Sequence, residues 1–246
     1  MAKNRVNFVL QAKGGVGKSF IAALLTQHYL RREGGGKVVA VDTDPANATL
    51  HGYKALRVRR VDILMEGSDS LVDPRAFDDL LESIVAEEAD FIVDNGANCY
   101  FPLLDYVRET DAFAALVQAG KEVFLHSVVT GGQALVDTLR GFDSLAKITP
   151  PDARLVVWLN QYFGPIRGEG KDFEQMAVYE RHRDRIEALV KLPKLNPYTS
   201  GKDLELMIAR KLTFDEALAG TQFGLMEKQR LKAAQRAIFA QLGLVV

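Results

Sequence analysis

The chain has 246 residues, of which 48% are hydrophobic and 26% are charged, so it can bury a sizeable core without disulfides. Its 31 basic and 32 acidic side chains give a net charge of -1, which excludes a nucleic-acid partner recognised through overall positive charge. The single cysteine, Cys99, excludes an intrachain disulfide framework, and no apolar run reaches the ~18–20 residues of a membrane helix. The first residues do not resemble a signal peptide, so we expect one cytoplasmic domain over 1–246 that is not an integral membrane protein.

Short apolar runs alternate with segments of helical periodicity along the chain. The runs predict buried strands, and the periodic segments predict helices. The predicted strands cover 6–11, 37–42, 59–64, 90–94, 122–129, 154–160 and 188–192. The predicted helices cover 20–32, 74–88, 131–147, 172–187 and 223–242.

The predicted strands are apolar along their whole length and do not alternate between apolar and polar residues. Such strands are typical of a parallel sheet that helices cover on both faces. We therefore predict an α/β fold with three layers and a mostly parallel sheet. The last helix carries Leu231, Ile238 and Leu242 along one side. We expect this helix to pack on the sheet, with binding to a membrane surface as the alternative.

The most specific motif is a glycine-rich loop between the first predicted strand and the first predicted helix, KGGVGKS at 13–19. Glycine lets backbone N–H groups turn inward around phosphate, and the helix start points the positive end of its dipole at the same place. Lys18 is expected to neutralise the β- and γ-phosphates, and the Ser19 hydroxyl to bind Mg²⁺. Ala12 stands where the general motif has a glycine. The residues expected around the phosphates are Gly14, Gly15, Val16, Gly17, Lys18, Ser19 and Phe20.

Acidic side chains follow two predicted strands at their carboxyl ends, which is the edge where open α/β sheets bind ligands. Asp42 and Asp44 follow the second strand, and Asp94 ends the strand at 90–94. Phosphoryl transfer needs a positioned water and neutralised charge more than it needs a strong base. Asp94 is placed as a carboxylate that holds Mg²⁺, usually through water. For each of the three residues, the alternative is a side chain that only caps a turn.

The loop KGGVGKS, with its additional Lys13, resembles the deviant phosphate loop of the ParA/MinD family of dimerising ATPases. The pattern DTDPAN at 42–47 resembles the first switch of that family. The resemblance implies ATP or ADP as ligand, Mg²⁺ as cofactor, and a nucleotide-dependent homodimer in which Lys13 reaches the partner's nucleotide. It also implies that Asp44 orients the attacking water and that Asp42 supports Mg²⁺ through water.

The same resemblance places adenine contacts at Asn160, which ends the strand at 154–160, and at Pro193, which follows the short strand at 188–192. An asparagine that only forms a turn is the alternative at Asn160. Relatives usually have a proline-containing switch after the residue that corresponds to Asp94, whereas this chain has NGAN at 95–98. The second switch therefore stays unassigned.

Longer stretches resemble a family of conjugative-transfer proteins encoded by broad-host-range plasmids. Among them are VDTDPANATLHGYKALRVRR, VVTGGQALVDTLRGF and VVWLNQYFGPIRGEGKDFEQM, and together such stretches span nearly the whole chain. The resemblance implies a function in plasmid DNA transfer, with DNA-processing (relaxosome) or secretion-channel proteins as partners. The residues themselves support only a nucleotide switch.

Two other functions remain open from the sequence. One is a small-molecule ligase or kinase on the same scaffold, similar to dethiobiotin synthetase. The other is a DNA-binding module that uses ATP only as an assembly signal. Basic runs at 57–60 and 181–185 are candidates for phosphate contacts, although a solvated surface is the better expectation for each. No Asn-Lys-x-Asp guanine motif follows any strand, which predicts ATP over GTP.

Overall fold

The computed structural model describes residues 4–32, 35–68 and 71–245. Within these residues, the strands are β1 (Arg5–Leu10), β2 (Lys37–Asp42), β3 (Arg59–Arg60), β4 (Ala89–Asp94), β5 (Glu122–Thr130), β6 (Arg154–Asn160), β7 (Arg167–Gly168), β8 (Lys171–Asp172) and β9 (Ile186–Leu192). The helices are α1 (Lys18–Leu30), α2 (Arg75–Ala86), α3 (Tyr100–Thr110), α4 (Ala112–Gln118), α5 (Leu135–Ile148), α6 (Ala177–His182), α7 (Ser200–Ala209), α8 (Phe214–Ala219) and α9 (Leu225–Leu242).

Seven of these strands form one parallel sheet in the order β3-β2-β4-β1-β5-β6-β9. Parallel neighbours require crossover connections, and helices supply them here. The chain adds β2, β3 and β4 on one side of β1 and the later strands on the other side. Open α/β sheets bind ligands at the carboxyl ends of the strands beside such a switch point, and the loop after β1 lies there. The predicted α/β fold with a mostly parallel sheet is confirmed.

Alternate side chains of the strands enter two apolar layers, one on each face of the sheet. In β1, Phe8 enters the layer formed with helices such as α2–α5, and Val9 enters the opposite layer with α1, α7, α8 and α9. We call these the first layer and the second layer. Because both faces of the sheet are covered, β4 and β5 are buried along almost their whole length, as their largely apolar sequences predict.

A polar cluster lies inside the second layer. The Trp158 indole N–H donates to Nδ1 of His126 at 3.0 Å, so Nε2 carries the ring proton toward Oδ1 of Asn7, also at 3.0 Å. The Asn7 amide in turn contacts the hydroxyl of Tyr29. Burial lowers the pKa of His126 to about 3, which keeps this imidazole neutral at physiological pH.

Several predicted elements differ from the structure in extent. The helix predicted over 172–187 is wrong in extent, because only α6 is α-helical and residues 186–187 already belong to β9. The strand predicted over 59–64 is reduced to β3. Four helices, α3, α4, α7 and α8, were not predicted. The antiparallel hairpin of β7 and β8, between β6 and α6, was not predicted either.

The C-terminal helix α9 packs on the sheet as expected, and its buried side places Leu231 in the second layer. Leu231 is 1% exposed, whereas Leu225 on the same helix is 75% exposed. We expect Leu231→Ala to lower the free energy of unfolding by about 2–5 kcal/mol, since it removes buried methyl groups and leaves a cavity. The control Leu225→Ala should change it by less than about 0.5 kcal/mol. Urea titrations measure both, and equal midpoints would contradict the packing of α9.

Candidate functional site

The glycine-rich loop joins β1 to α1 at the carboxyl edge of the sheet. Gly15 has φ +73° and Gly17 has φ +101°, a left-handed backbone that side chains rarely adopt. Gly17 immediately precedes α1, and no side chain in the described part of the chain caps the start of this helix. The first N–H groups of α1 are therefore available to an anion, which is the usual way that a helix start binds phosphate.

Lys18 is the buried cation of this loop. Its ammonium group donates to the backbone carbonyl of Lys13 at 3.1 Å, which folds the lysine back over the loop. Burial lowers the pKa of Lys18, while the charges of Asp94 and Asp44 oppose that change. The structure thus places Lys18, the predicted phosphate lysine, within the electrostatic influence of two of the three predicted carboxylates, Asp44 and Asp94.

Asp94 ends β4 with its side chain buried, and neither carboxylate oxygen has a hydrogen-bond partner among the residues that the structure describes. Burial raises the pKa of Asp94 to about 7, and the nearby Ser19 hydroxyl and Lys18 ammonium limit the rise. A buried carboxylate without a partner is costly unless a cation completes it. The donor set of Asp94 and Ser19 is of the oxygen type that Mg²⁺ prefers, so these residues fit that ion.

Asp42 lies opposite Asp94 in the register of β2 and β4, and it holds the turn that follows β2. Its two oxygens accept the backbone N–H groups of Asp44 at 3.0 Å and His51 at 2.9 Å. Asp44 also forms a turn, since its Oδ1 accepts two backbone N–H groups at 2.9 and 3.0 Å. Both aspartates therefore stabilise turns, which was the alternative to a catalytic function. The second carboxylate oxygen of Asp44 takes no part in its turn.

Two residues of this edge were not singled out from the sequence. Thr43 places its hydroxyl 3.1 Å from both the Asp94 carbonyl and Oδ1 of Asn95, which ties the ends of β2 and β4 together. A Cβ at Gly96 would come within 2.9 Å of Cγ of Asp44. The segment after Asp94 therefore packs directly against Asp44. The glycine in NGAN was the signal available in the sequence.

Asn160 and Pro193 lie at the same edge of the sheet, because Asn160 pairs with Leu192 in the register of β6 and β9. The Asn160 amide nitrogen donates to the Val16 carbonyl at 2.9 Å, and its oxygen accepts the Tyr162 N–H at 3.1 Å. Asn160 therefore holds the glycine-rich loop and the turn after β6. Its predicted contact with adenine stays a prediction, as does that of the exposed Pro193.

Lys13 leaves the loop on its exposed side. Its ammonium group forms an ion pair at 3.0 Å with Asp137 of α5, and both side chains are about half exposed. No motif in the sequence singled out Asp137. The pair is open to water, so it is worth about 0–1 kcal/mol and is easily exchanged for another partner of Lys13.

The buried side chain of Gln11 holds the start of the glycine-rich loop in place. Its buried side-chain amide donates to the carbonyls of Val128 at 2.7 Å and Thr138 at 3.0 Å, and its oxygen accepts the Ala12 N–H at 2.9 Å. A Cβ at Gly141 would lie 1.8 Å from that oxygen, so α5 can approach only with glycine there. The position of Ala12, which departs from the general motif, is thus fixed by a side chain.

The described residues contain no group of three or more His, Cys, Asp or Glu side chains arranged to hold a metal ion. A cation here would need ligands from the phosphates of a nucleotide, which is how Mg²⁺ usually binds. In the same residues, no helix is both long and apolar enough to cross a membrane.

The basic runs make mostly internal contacts. In 181–185, all three guanidinium groups bond to acidic side chains or backbone carbonyls of the chain. Arg59 bonds to Glu87 at 2.7 Å, while Arg57 and Arg60 are exposed. The run at 181–185 therefore matches the expectation of a solvated surface.

We expect Asp94→Asn to stabilise the nucleotide-free protein at pH 8. The folded state raises the pKa of this carboxyl from 3.8 to about 7, so ionisation above pH 7 costs the wild type a few kcal/mol that the neutral amide avoids. As the pH falls from 7 toward 4, the wild type regains this stability and the difference should vanish. Melting temperatures from pH 4 to 8 measure it. The control is Asp152→Asn, at an exposed aspartate, which should not change the pH dependence of stability. A wild type as stable as Asp94→Asn at pH 8 would contradict the raised pKa of Asp94.

Comparisons with known proteins agree with this geometry. The family model described as the CobQ/CobB/MinD/ParA nucleotide binding domain matches residues 8–217. Two Escherichia coli proteins, each named Protein TraL, are 47% and 45% identical over 238 residues, covering 97% of this chain and 97% of each relative. The resemblance to the ParA/MinD family that was inferred from the sequence is thereby confirmed.

Solved structures with a related fold include a ParA family ATPase from Chlorobium tepidum and the MinD cell division protein of Aquifex aeolicus. The first is 17% identical with a TM-score of 0.48, covering 94% of this chain and 98% of that one. The second is 17% identical with a TM-score of 0.48, covering 96% and 97%. The family assignment comes from the family model and the TraL relatives alone.

Proposed function

The chain belongs to the CobQ/CobB/MinD/ParA nucleotide-binding family, and we propose from this premise that it is a Mg²⁺-dependent ATPase. We propose further that residues 1–246 form one ATPase domain, which acts as a nucleotide-switched homodimer in conjugative transfer of plasmid DNA. The observation that carries the proposal is the burial of Lys18 and the unpartnered Asp94 beside an uncapped helix start. This arrangement costs stability in the free protein and becomes favourable with a magnesium triphosphate.

In the proposed complex, the backbone of 14–17 and the start of α1 bind the phosphates, and Lys18 exchanges its bond to the Lys13 carbonyl for the β- and γ-phosphates. Ser19 and Asp94 hold the cation, with Asp42 acting through water. When bound, Mg²⁺ neutralises charge that develops on the phosphate oxygens. Phe20, in the first turn of α1, lies beside these groups and completes the phosphate site.

Hydrolysis in this proposal depends on Asp44 and Lys13. Asp44 orients the attacking water with the oxygen that is not used in its turn. Lys13 leaves the exposed ion pair with Asp137 and crosses to the nucleotide of a second subunit, where its charge stabilises the leaving oxygen. The low cost of opening an exposed ion pair supports this exchange.

The cellular part of the proposal follows from the TraL relatives and from the stretches that resemble conjugative-transfer proteins. The partners would be DNA-processing or secretion-channel proteins in the cytoplasm, and DNA contact is possible only through a local patch such as Arg57 and Arg60. In this proposal, ATP binding and hydrolysis switch those contacts on and off.

The proposal is tested by nucleotide titration and by the mass of the complex in solution. We expect calorimetry to give tighter binding of ATP than of GTP in the presence of Mg²⁺, and light scattering to detect a dimer with ATP but not with ADP. Asn160→Ala should narrow the ATP to GTP ratio if the side chain contacts adenine. A strictly monomeric ATP complex, with turnover only in the presence of a metabolite, would instead identify a small-molecule ligase or kinase.

A further inference from the structure

Tyr53 is a buried tyrosine whose hydroxyl has no hydrogen-bond partner among the described residues. Its side chain is 1% exposed and packs in the second layer with residues of α1 and the central strands. A buried hydroxyl without a partner costs about 1–3 kcal/mol. Two other buried tyrosines avoid this cost, since Tyr29 bonds to Asn7 and Tyr100 donates to the Gly141 carbonyl at 2.6 Å. The hydroxyl of Tyr53 therefore differs from those of the other two tyrosines.

Asp94 lies on the same face of the sheet as Tyr53. In β4, Phe91 and Val93 enter the first layer and Ile92 enters the second, so the alternation along the strand directs Asp94 toward the second layer. The charge of Asp94 also contributes, after burial, to raising the pKa of Tyr53 to about 12, which places the two groups in one electrostatic environment. A buried donor and a buried acceptor thus share this environment, and neither has a partner in the described residues.

The backbone connects Tyr53 to the same carboxylate edge. Tyr53 follows the short helical turn Leu50–Gly52, and its N–H donates to the Leu50 carbonyl at 3.0 Å. Within that turn, the N–H of His51 donates to Oδ2 of Asp42, the residue opposite Asp94. The position of Tyr53 is therefore set by the segment that carries the proposed first switch.

We propose that Tyr53 is a positioning residue of the cation site: with a magnesium nucleotide bound, its hydroxyl donates a hydrogen bond to the Asp94 carboxylate and holds it in one orientation. The assignment rests on the proposed nucleotide function. Partners that orient a metal-binding side chain commonly change metal affinity by 10- to 100-fold when they are removed. The tyrosine acts through Asp94 and does not contact the phosphates.

The test replaces the hydroxyl with hydrogen and measures metal affinity directly. Mn²⁺ is titrated into the full chain with a non-hydrolysable ATP analogue, and free Mn²⁺ is followed by electron paramagnetic resonance. We expect Tyr53→Phe to weaken Mn²⁺ binding about 10-fold or more, with unchanged analogue affinity in EDTA and no loss of melting temperature. The matched control is Tyr100→Phe, which should lose stability with its bond to Gly141 and keep the affinity for Mn²⁺.

A double-mutant cycle shows whether the effect passes through Asp94. In an Asp94→Ala background, Tyr53→Phe should cause no further loss of Mn²⁺ affinity, and a further 10-fold loss would overturn the assignment. Equal Mn²⁺ affinity in Tyr53→Phe and wild type, with a raised melting temperature, would identify a merely unsatisfied hydroxyl and overturn it as well. If the wild type binds no Mn²⁺ with the analogue, the proposed function fails together with this assignment.

Discussion

Lys18→Ala should abolish measurable ATP binding by the monomer, whereas Lys13→Ala should leave it almost unchanged. Lys18 is buried against the loop, so its ammonium group can move to a bound phosphate without leaving its own subunit. Removing one partner of a buried charge pair costs about 2–5 kcal/mol, which corresponds to a loss of affinity of ~30- to 5,000-fold. Isothermal titration with ATP and Mg²⁺ measures both variants, and circular dichroism verifies that they are folded.

Lys13→Ala is the matched control because the two lysines lie on the same loop and differ in their surroundings. Lys13 is half exposed and paired with Asp137, so its loss leaves the phosphate cradle of the monomer intact. The variant should nevertheless fail in ATP-dependent dimerisation, in hydrolysis, or in both. Equal loss of ATP binding in the two variants would mean that Lys13 acts within its own subunit.

Asp44→Ala should slow ATP hydrolysis by ~10²–10⁴-fold while ATP binding stays close to wild type. The Asp44 carboxylate packs against Gly96, and its charge opposes the lowering of the Lys18 pKa by burial, so in the proposed complex it would face a water next to the terminal phosphate. The variant should therefore accumulate as an ATP-bound dimer. Phosphate release under single-turnover conditions measures the rate, and a wild-type rate would move the function to Asp42.

Mixing Asp44→Ala with Lys13→Ala shows which subunit contributes each residue to one nucleotide site. In a mixed dimer, the ATP of the Lys13→Ala subunit has its own Asp44 and receives Lys13 from its partner. That site should regain partial hydrolysis although each variant alone is inactive. No recovery, at protein concentrations where light scattering detects the mixed dimer, would contradict the exchange of Lys13 between subunits.

The parts of the fold that follow from local pattern were predictable from the sequence. β2 and β6 have the predicted bounds because both are apolar runs that end in a polar residue, Asp42 or Asn160, at the ligand edge. Helix α7 was missed because its stabilising contacts, such as the bond from Arg230 to Asp203, are distant in sequence. Helix α8 did have a local signal, the capping box of Thr213 and Glu216, which the prediction from sequence did not use. The segment 172–187 has helical spacing and was predicted as one helix. Its last two residues instead begin β9, because β9 pairs with β6.

For the site, the sequence identified groups by their chemistry but could not assign their contacts. Lys18, Asp42 and Asp94 were placed correctly at one edge because the ends of parallel strands meet there. The bond from Asn160 to Val16 crosses from β6 to the loop, and the ion pair of Lys13 links the loop to α5. Such long-range contacts depend on the packing of the whole sheet, which no local motif encodes.

The polar cluster around Trp158 gives the protein a built-in optical probe. Trp158 is the single tryptophan of the chain, so its ultraviolet emission arises from one place only. The indole is fully buried and donates to a neutral His126, so its emission should be blue-shifted and constant from pH 5 to 8. Two residues further along β6, Asn160 bonds to the loop at Val16. Unlabelled protein in a stopped-flow fluorimeter can therefore signal when the loop changes its contacts.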